Sequence, residues 1–173
     1  MSIAARIVAT WRNPRLVMRD HLAGGVREDR AIAVVMGAAG LSLVAQLPAM
    51  WRAAALYPEI PLEARLGAAL LATLFLLPLI AYAIAGASWV LLRVLGRRNV
   101  GGFATRIALF WAMLASIPLV LVHRVFEAIL PSDSAMVTIA GMAAFGGFLY
   151  LWLAALAEAW RSASATTTSL EGP

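Results

Sequence analysis

The sequence predicts an all-α polytopic membrane protein: four transmembrane helices in one compact bundle, with both termini cytoplasmic. Three observations carry this. First, 62% of the 173 residues are hydrophobic and 13% are charged, with a mean hydropathy of +0.85. A soluble domain lies closer to half apolar and a quarter charged. Second, four apolar stretches, at 31–50, 66–92, 107–122 and 135–157, contain no Asp, Glu, Lys, Arg or His. About 20 helical residues cross the ~30 Å of hydrocarbon. Third, the arginines are asymmetric. With the amino terminus inside, eleven of them flank the inner ends of the spans and three, Arg52, Arg65 and Arg124, lie outside. Excess basic charge marks the cytoplasmic side.

Residues 1–30 form a cytoplasmic amphipathic segment with six arginines. It lacks the apolar h-region and cleavage site of a signal peptide. Ile3, Ile7 and Trp11 recur at helical spacing, which predicts a short interfacial helix with its tryptophan at headgroup depth. Asn13-Pro14 reads as a cap followed by proline at the first helical position, so a second short helix runs from Arg15 to about Ala23 and stops at Gly24-Gly25. The transmembrane domain is 31–160, with spans at about 31–50, 66–92, 104–124 and 135–158. In the first span Ala33, Gly37 and Gly40 present a small-residue face suited to close helix contact. The connection from Trp51 to Arg65 carries Tyr57-Pro58 and Ile60-Pro61, a turn-rich loop with aromatic anchors.

The second span is longer than a straight crossing needs, and Pro78 near its middle predicts a kink. The turn from Arg93 to Gly102 holds three arginines and no acid. The third span carries Pro118, with His123, Arg124 and Glu127 on an amphipathic continuation at the outer surface. Pro131-Ser132-Asp133 closes that connection, with Ser132 or Asp133 as the cap of the fourth helix. Gly141 in that helix, like Gly37, predicts close packing. Residues 161–173, rich in Ser and Thr, predict a disordered cytoplasmic tail.

Several function classes are disfavoured by what the chain contains. There is no cysteine, hence no disulfide, thiolate metal site or cysteine nucleophile. All 14 basic residues are arginine, which reflects codon usage in a GC-rich genome. The net charge of +5 and a pI near 11.0 belong to span-flanking arginines facing anionic headgroups, not to a nucleic-acid surface. Ion-coupled carriers usually keep an ionisable group within the membrane, and none lies in the four apolar cores. His21 and His123 fall on opposite sides of the membrane, so no catalytic constellation assembles, and no metal or cofactor site is expected. His123 and Glu127 share a helical face as a solvated helix end. Glu158 reads as an interface boundary rather than a buried acid. Gln46, Ser42, Thr73, Ser88 and Ser116 are expected to bond across helices.

A succession of local patterns carries a resemblance. Asn13-Pro14-Arg15 and Met18 precede the first span, and the second ends Leu92-Arg93-Val94-Leu95-Gly96. Gly101-Gly102-Phe103 leads into a third span with Ile117-Pro118, and the fourth ends with Tyr150-Leu151-Trp152. Over roughly residues 10 to 160 this resembles the bacterial branch of the Yip family (Ypt/Rab-interacting membrane proteins), whose members usually carry five spans. The resemblance implies a multi-pass protein of the bacterial inner membrane without an assigned reaction. The expected function is therefore a non-catalytic scaffold or accessory factor that binds membrane lipid, including anionic lipid, a membrane partner or a second copy of itself. The alternative is a small oligomeric transporter or channel. The candidate lipid or partner contact is the central turn: Arg93, Arg97, Arg98, Gly101, Gly102 and Arg106. Its guanidiniums and the amino end of the following helix both favour a phosphate.

Overall fold

The structure, a computed structural model, describes residues 2–131 and 133–170, with side chains through residue 164. Among the described residues it is all-helical. Two short helices, α1 (Ile3–Arg12) and α2 (Pro14–Ala23), precede four helices long and apolar enough to span a membrane. These are α3 (Glu28–Leu56), the continuous pair α4 (Leu62–Leu70) and α5 (Leu77–Val94), then α6 (Gly102–Ile129) and α7 (Ala135–Leu170).

Local chemistry sets most of the helix ends. The Ser2 hydroxyl accepts the amide of Ala5 at 3.3 Å, and the Asn13 side chain accepts that of Leu16 at 3.2 Å, with Pro14 opening α2 as expected. Gly24 and Gly25 close α2, and Gly25 takes φ +75°. The fourth span is capped by Ser134, whose hydroxyl accepts the Met136 amide. That corrects the expectation for Asp133, which lies one residue too early; Ser132 falls outside the described residues. After α5 the chain turns through a Schellman motif. The Arg97 amide bonds back to the Leu92 carbonyl at 2.8 Å and the Gly96 amide to Arg93, with Gly96 at φ +79°. A Cβ is disfavoured in that left-handed conformation, so glycine makes the turn.

Two further expectations are corrected. The first outer connection is shorter than Trp51–Arg65, because α3 runs through Pro48 to Leu56 and α4 begins at Leu62. Arg65 closes the remaining loop by donating to the carbonyls of Ile60 and Tyr57, both at 3.0 Å. Pro78 lies near the middle of the second span as expected, directly after a π-helical segment at Leu71–Leu76. The wider turn accommodates a ring that would otherwise clash with the preceding carbonyls. The residues from Arg161 continue α7 as helix to Leu170 rather than forming a disordered tail; Ala163 packs against the core, and 171–173 lie outside the described residues.

The core is organised around α6. In its most apolar stretch 61% of residues are buried, against 33% for α3 and 17% for each of the other two spans. Phe103, Ile107, Phe110, Trp111, Leu114 and Ile117 fill the centre. α3 and α7 cover α6 most fully, and α5 covers it less. The connections put the amino-terminal helices, the α5–α6 turn and the end of the fourth apolar span at one end of the bundle. Arg106 pairs with Glu28, Arg19 with Glu158, and the Arg97 guanidinium lies 3.9 Å from the ring centre of Trp160.

The amino-terminal hairpin departs most from expectation. Trp11 does not sit at headgroup depth. Its indole enters the groove between α6 and α7 and donates to the Ala115 carbonyl at 2.9 Å, halfway along α6. Gly147 makes room for it: a Cβ there would stand 2.7 Å from the Trp11 ring and 2.6 Å from Leu119. Next to it, the Trp111 indole donates to the Thr10 hydroxyl at 2.9 Å, which donates onward to the Arg6 carbonyl at 2.7 Å. These bonds fasten α1 across the central helix, and α2 packs on α7.

Candidate functional site

Charge divides between the two ends. The end that carries the amino-terminal helices holds eleven arginines and, among the described residues, four acids, Asp20, Glu28, Asp29 and Glu158. Three of those acids already have arginine partners: Arg106 for Glu28, Arg27 for Asp29 at 2.8 Å and Arg19 for Glu158 at 2.9 Å. The opposite end holds three arginines, each engaged locally. Arg52 caps the carboxyl end of α6 by donating to Ala128 at 2.7 Å, Arg65 closes its loop, and Arg124 pairs with Glu127 at 2.6 Å. Cations suit helix carboxyl ends, where carbonyls lack intrahelical partners.

The six candidate residues of the central turn share this end but do not converge on one point. Arg93 lies 4.8 Å over the Trp89 ring, and Arg97 covers Trp160. Arg98 and Gly101 are exposed. Gly102 and Arg106 line a small pocket of about 180 Å³ with Tyr82, Gly86, Trp89 and Thr105. The Arg106 charge is met by Glu28, so it is less available to a ligand than its position in the sequence suggests. The turn is therefore a cationic rim braced on two tryptophans.

Other sequence expectations resolve as follows. Glu158 is a buried acid, 3% exposed, with both Nε and Nη2 of Arg19 on one carboxylate oxygen and Arg161 at 4.0 Å from the other. That replaces the interface-boundary reading: the carboxylate is enclosed by the bundle and held by Arg19. His123 and Glu127 do share a face, with Nε2 and Oε1 3.4 Å apart, and are half-buried rather than solvated. The Gln46 amide bonds to the Thr73 hydroxyl across helices at 3.2 Å. Ser88 and Ser116 instead donate to carbonyls of their own helices. The close approach expected at Gly141 is present, since a Cβ there would lie 3.1 Å from the His123 ring. The one expected at Gly37 is not: nothing stands within 4 Å of its would-be Cβ.

The space beside Gly37 is the larger feature that the sequence did not disclose. A cleft of about 350 Å³ lies between α1, α2, α3 and α6, walled by Val34, Leu114, Trp111 and His21 with Arg6 and Arg30 at its edge. Ile3, Ala33, Gly37 and Leu41 form an exposed apolar rim. His21 is 2% exposed, its ring 4.3 Å from that of Trp111, and neither ring nitrogen has a hydrogen-bond partner. Each unpaired buried polar group costs on the order of 1–3 kcal/mol. Burial, together with the neighbouring Arg6 and Arg30 charges, pushes His21 down to about 4, against an opposing pull from Asp20. The imidazole is thus neutral near pH 7, with one N–H donor and one acceptor, both enclosed by protein. One signal for it was present in the sequence: Pro14, Val17, Met18 and His21 fall on one stripe of α2, and all four are buried. Among the described residues no group of three metal-ligating side chains gathers.

No family model, curated protein or solved structure matches this chain.

Proposed function

We propose that this is a non-catalytic membrane protein of the Yip type that acts as a scaffold or accessory factor by holding anionic lipid, or an acidic membrane partner, against its arginine-rich end. The observation that carries the reading is the charge division. Among the described residues eleven arginines meet four acids at one end, and three of those acids are already paired. The opposite end neutralises its three arginines with carbonyls and a carboxylate. An anionic leaflet attracts such a surface by roughly 1 kcal/mol for each arginine near it, less as salt rises. In this reading the arginine-rich end, and with it both termini, faces the cytoplasm at a bacterial inner membrane. The family assignment rests on the Asn13-Pro14-Arg15, Gly101-Gly102-Phe103 and Tyr150-Leu151-Trp152 patterns.

The test replaces Arg97 and Arg98 with glutamine, leaving Arg93 and Arg106 in place, and counts anionic lipids retained by native mass spectrometry. Two arginines at roughly 1 kcal/mol each predict a loss of anionic-lipid affinity of about thirtyfold at low salt. Retention and partner co-purification equal to wild type would reduce the turn to a topology signal.

A further inference from the structure

We infer that the cleft between α1, α2, α3 and α6 receives one acyl chain of an anionic glycerophospholipid, with the lipid's phosphate held between Arg6 and Arg30. The inference rests on the reading of this end as lipid-facing, and adds a defined site to it.

Three features of the cleft converge on that ligand. Its volume of about 350 Å³ falls at the small end of ligand sites, and its wall at Trp111 and Leu114 is apolar. Its rim opens sideways at Gly37, where no atom occupies the space a side chain would take. One chain can therefore enter while the other remains in the bilayer. At its edge stand Arg6 and Arg30, and among the described residues neither has a carboxylate within 4.0 Å. A phosphate is the anion that satisfies two guanidiniums at once. A purely apolar occupant leaves the guanidiniums unmet, and a small free anion leaves the apolar wall empty.

The full chain, purified in mild detergent and exchanged into mixed micelles with phosphatidylglycerol, is examined by native mass spectrometry. Wild type should retain one phosphatidylglycerol through delipidation, and zwitterionic phosphatidylcholine should not replace it. Gly37→Leu, which fills the cleft, and the Arg6→Gln/Arg30→Gln pair should each lower that retention at least tenfold. The Arg97→Gln/Arg98→Gln variant should keep this one lipid while losing the weaker ones, so a failure of the cleft and a failure of the rim are told apart. Thermal unfolding verifies that each variant is folded; if Gly37→Leu is not, Ala33→Leu on the same rim takes its place. Equal retention in the folded cleft-filling variant overturns the proposal. So does displacement of the lipid by oleate, or a dimer in place of the lipid-bound monomer.

Discussion

At the scale of single residues, His21 has the clearest consequence. Its pKa falls from an ordinary 6.5 to about 4 in the folded chain, so the native state keeps it neutral while the unfolded chain protonates it. Between those values the unfolded state binds more protons, and stability drops as pH falls. The contribution is complete above about 6.5 and is lost progressively towards 4. Thermal unfolding in detergent should therefore show Tm decreasing from pH 6.5 to about 5, above the range where ordinary carboxylates titrate. His21→Phe should flatten that slope, and an unchanged slope would mean that the imidazole is solvated in the native state. Glu158 is as deeply enclosed as His21, but it has a partner in Arg19.

At the scale of helices, two glycines that look alike in sequence differ in the fold. Gly141 faces His123 closely, whereas Gly37 faces open space. Gly141→Leu should cost about 1–3 kcal/mol by overpacking, while Gly37→Leu should stay within about 0.5 kcal/mol of wild type. Equal Tm losses for the two would show that α3 closes over the cleft in solution. The contrast also marks what the sequence could disclose. Apolar length located the four spans, and Asn13-Pro14 and Gly24-Gly25 set the bounds of α2, because these signals act within a few residues. Gly37 and Trp11 could not be assigned this way. A small-residue face or an amphipathic stripe states that a surface will be covered or left open, not by what. The polar run after Arg161 misled for a related reason: its composition suggests disorder, but α7 propagates through it from a packed helix.

For the whole molecule, charge division and topology are one statement. Because the chain has no cysteine, Glu59→Cys in the loop between α3 and α4 and Gly101→Cys before α6 can be labelled without background. An impermeant thiol reagent applied to intact cells should modify the first and spare the second; the reverse pattern would invert the bundle. The candidate site was only partly legible at this scale. The arginine turn was visible as a run of sequence, whereas Arg6, Arg30 and His21 meet only through the docking of α1 and α2 on α6. That docking also has a consequence for the order of synthesis. Trp11 is made well before any part of its socket, which consists of Ala115, Leu119 and Gly147. The hairpin has nowhere to seat until α7 has been made and inserted. Until then Ile7, Ala9 and Trp11 remain an undocked greasy arm, and α1 finds its place only after both helices that hold it exist.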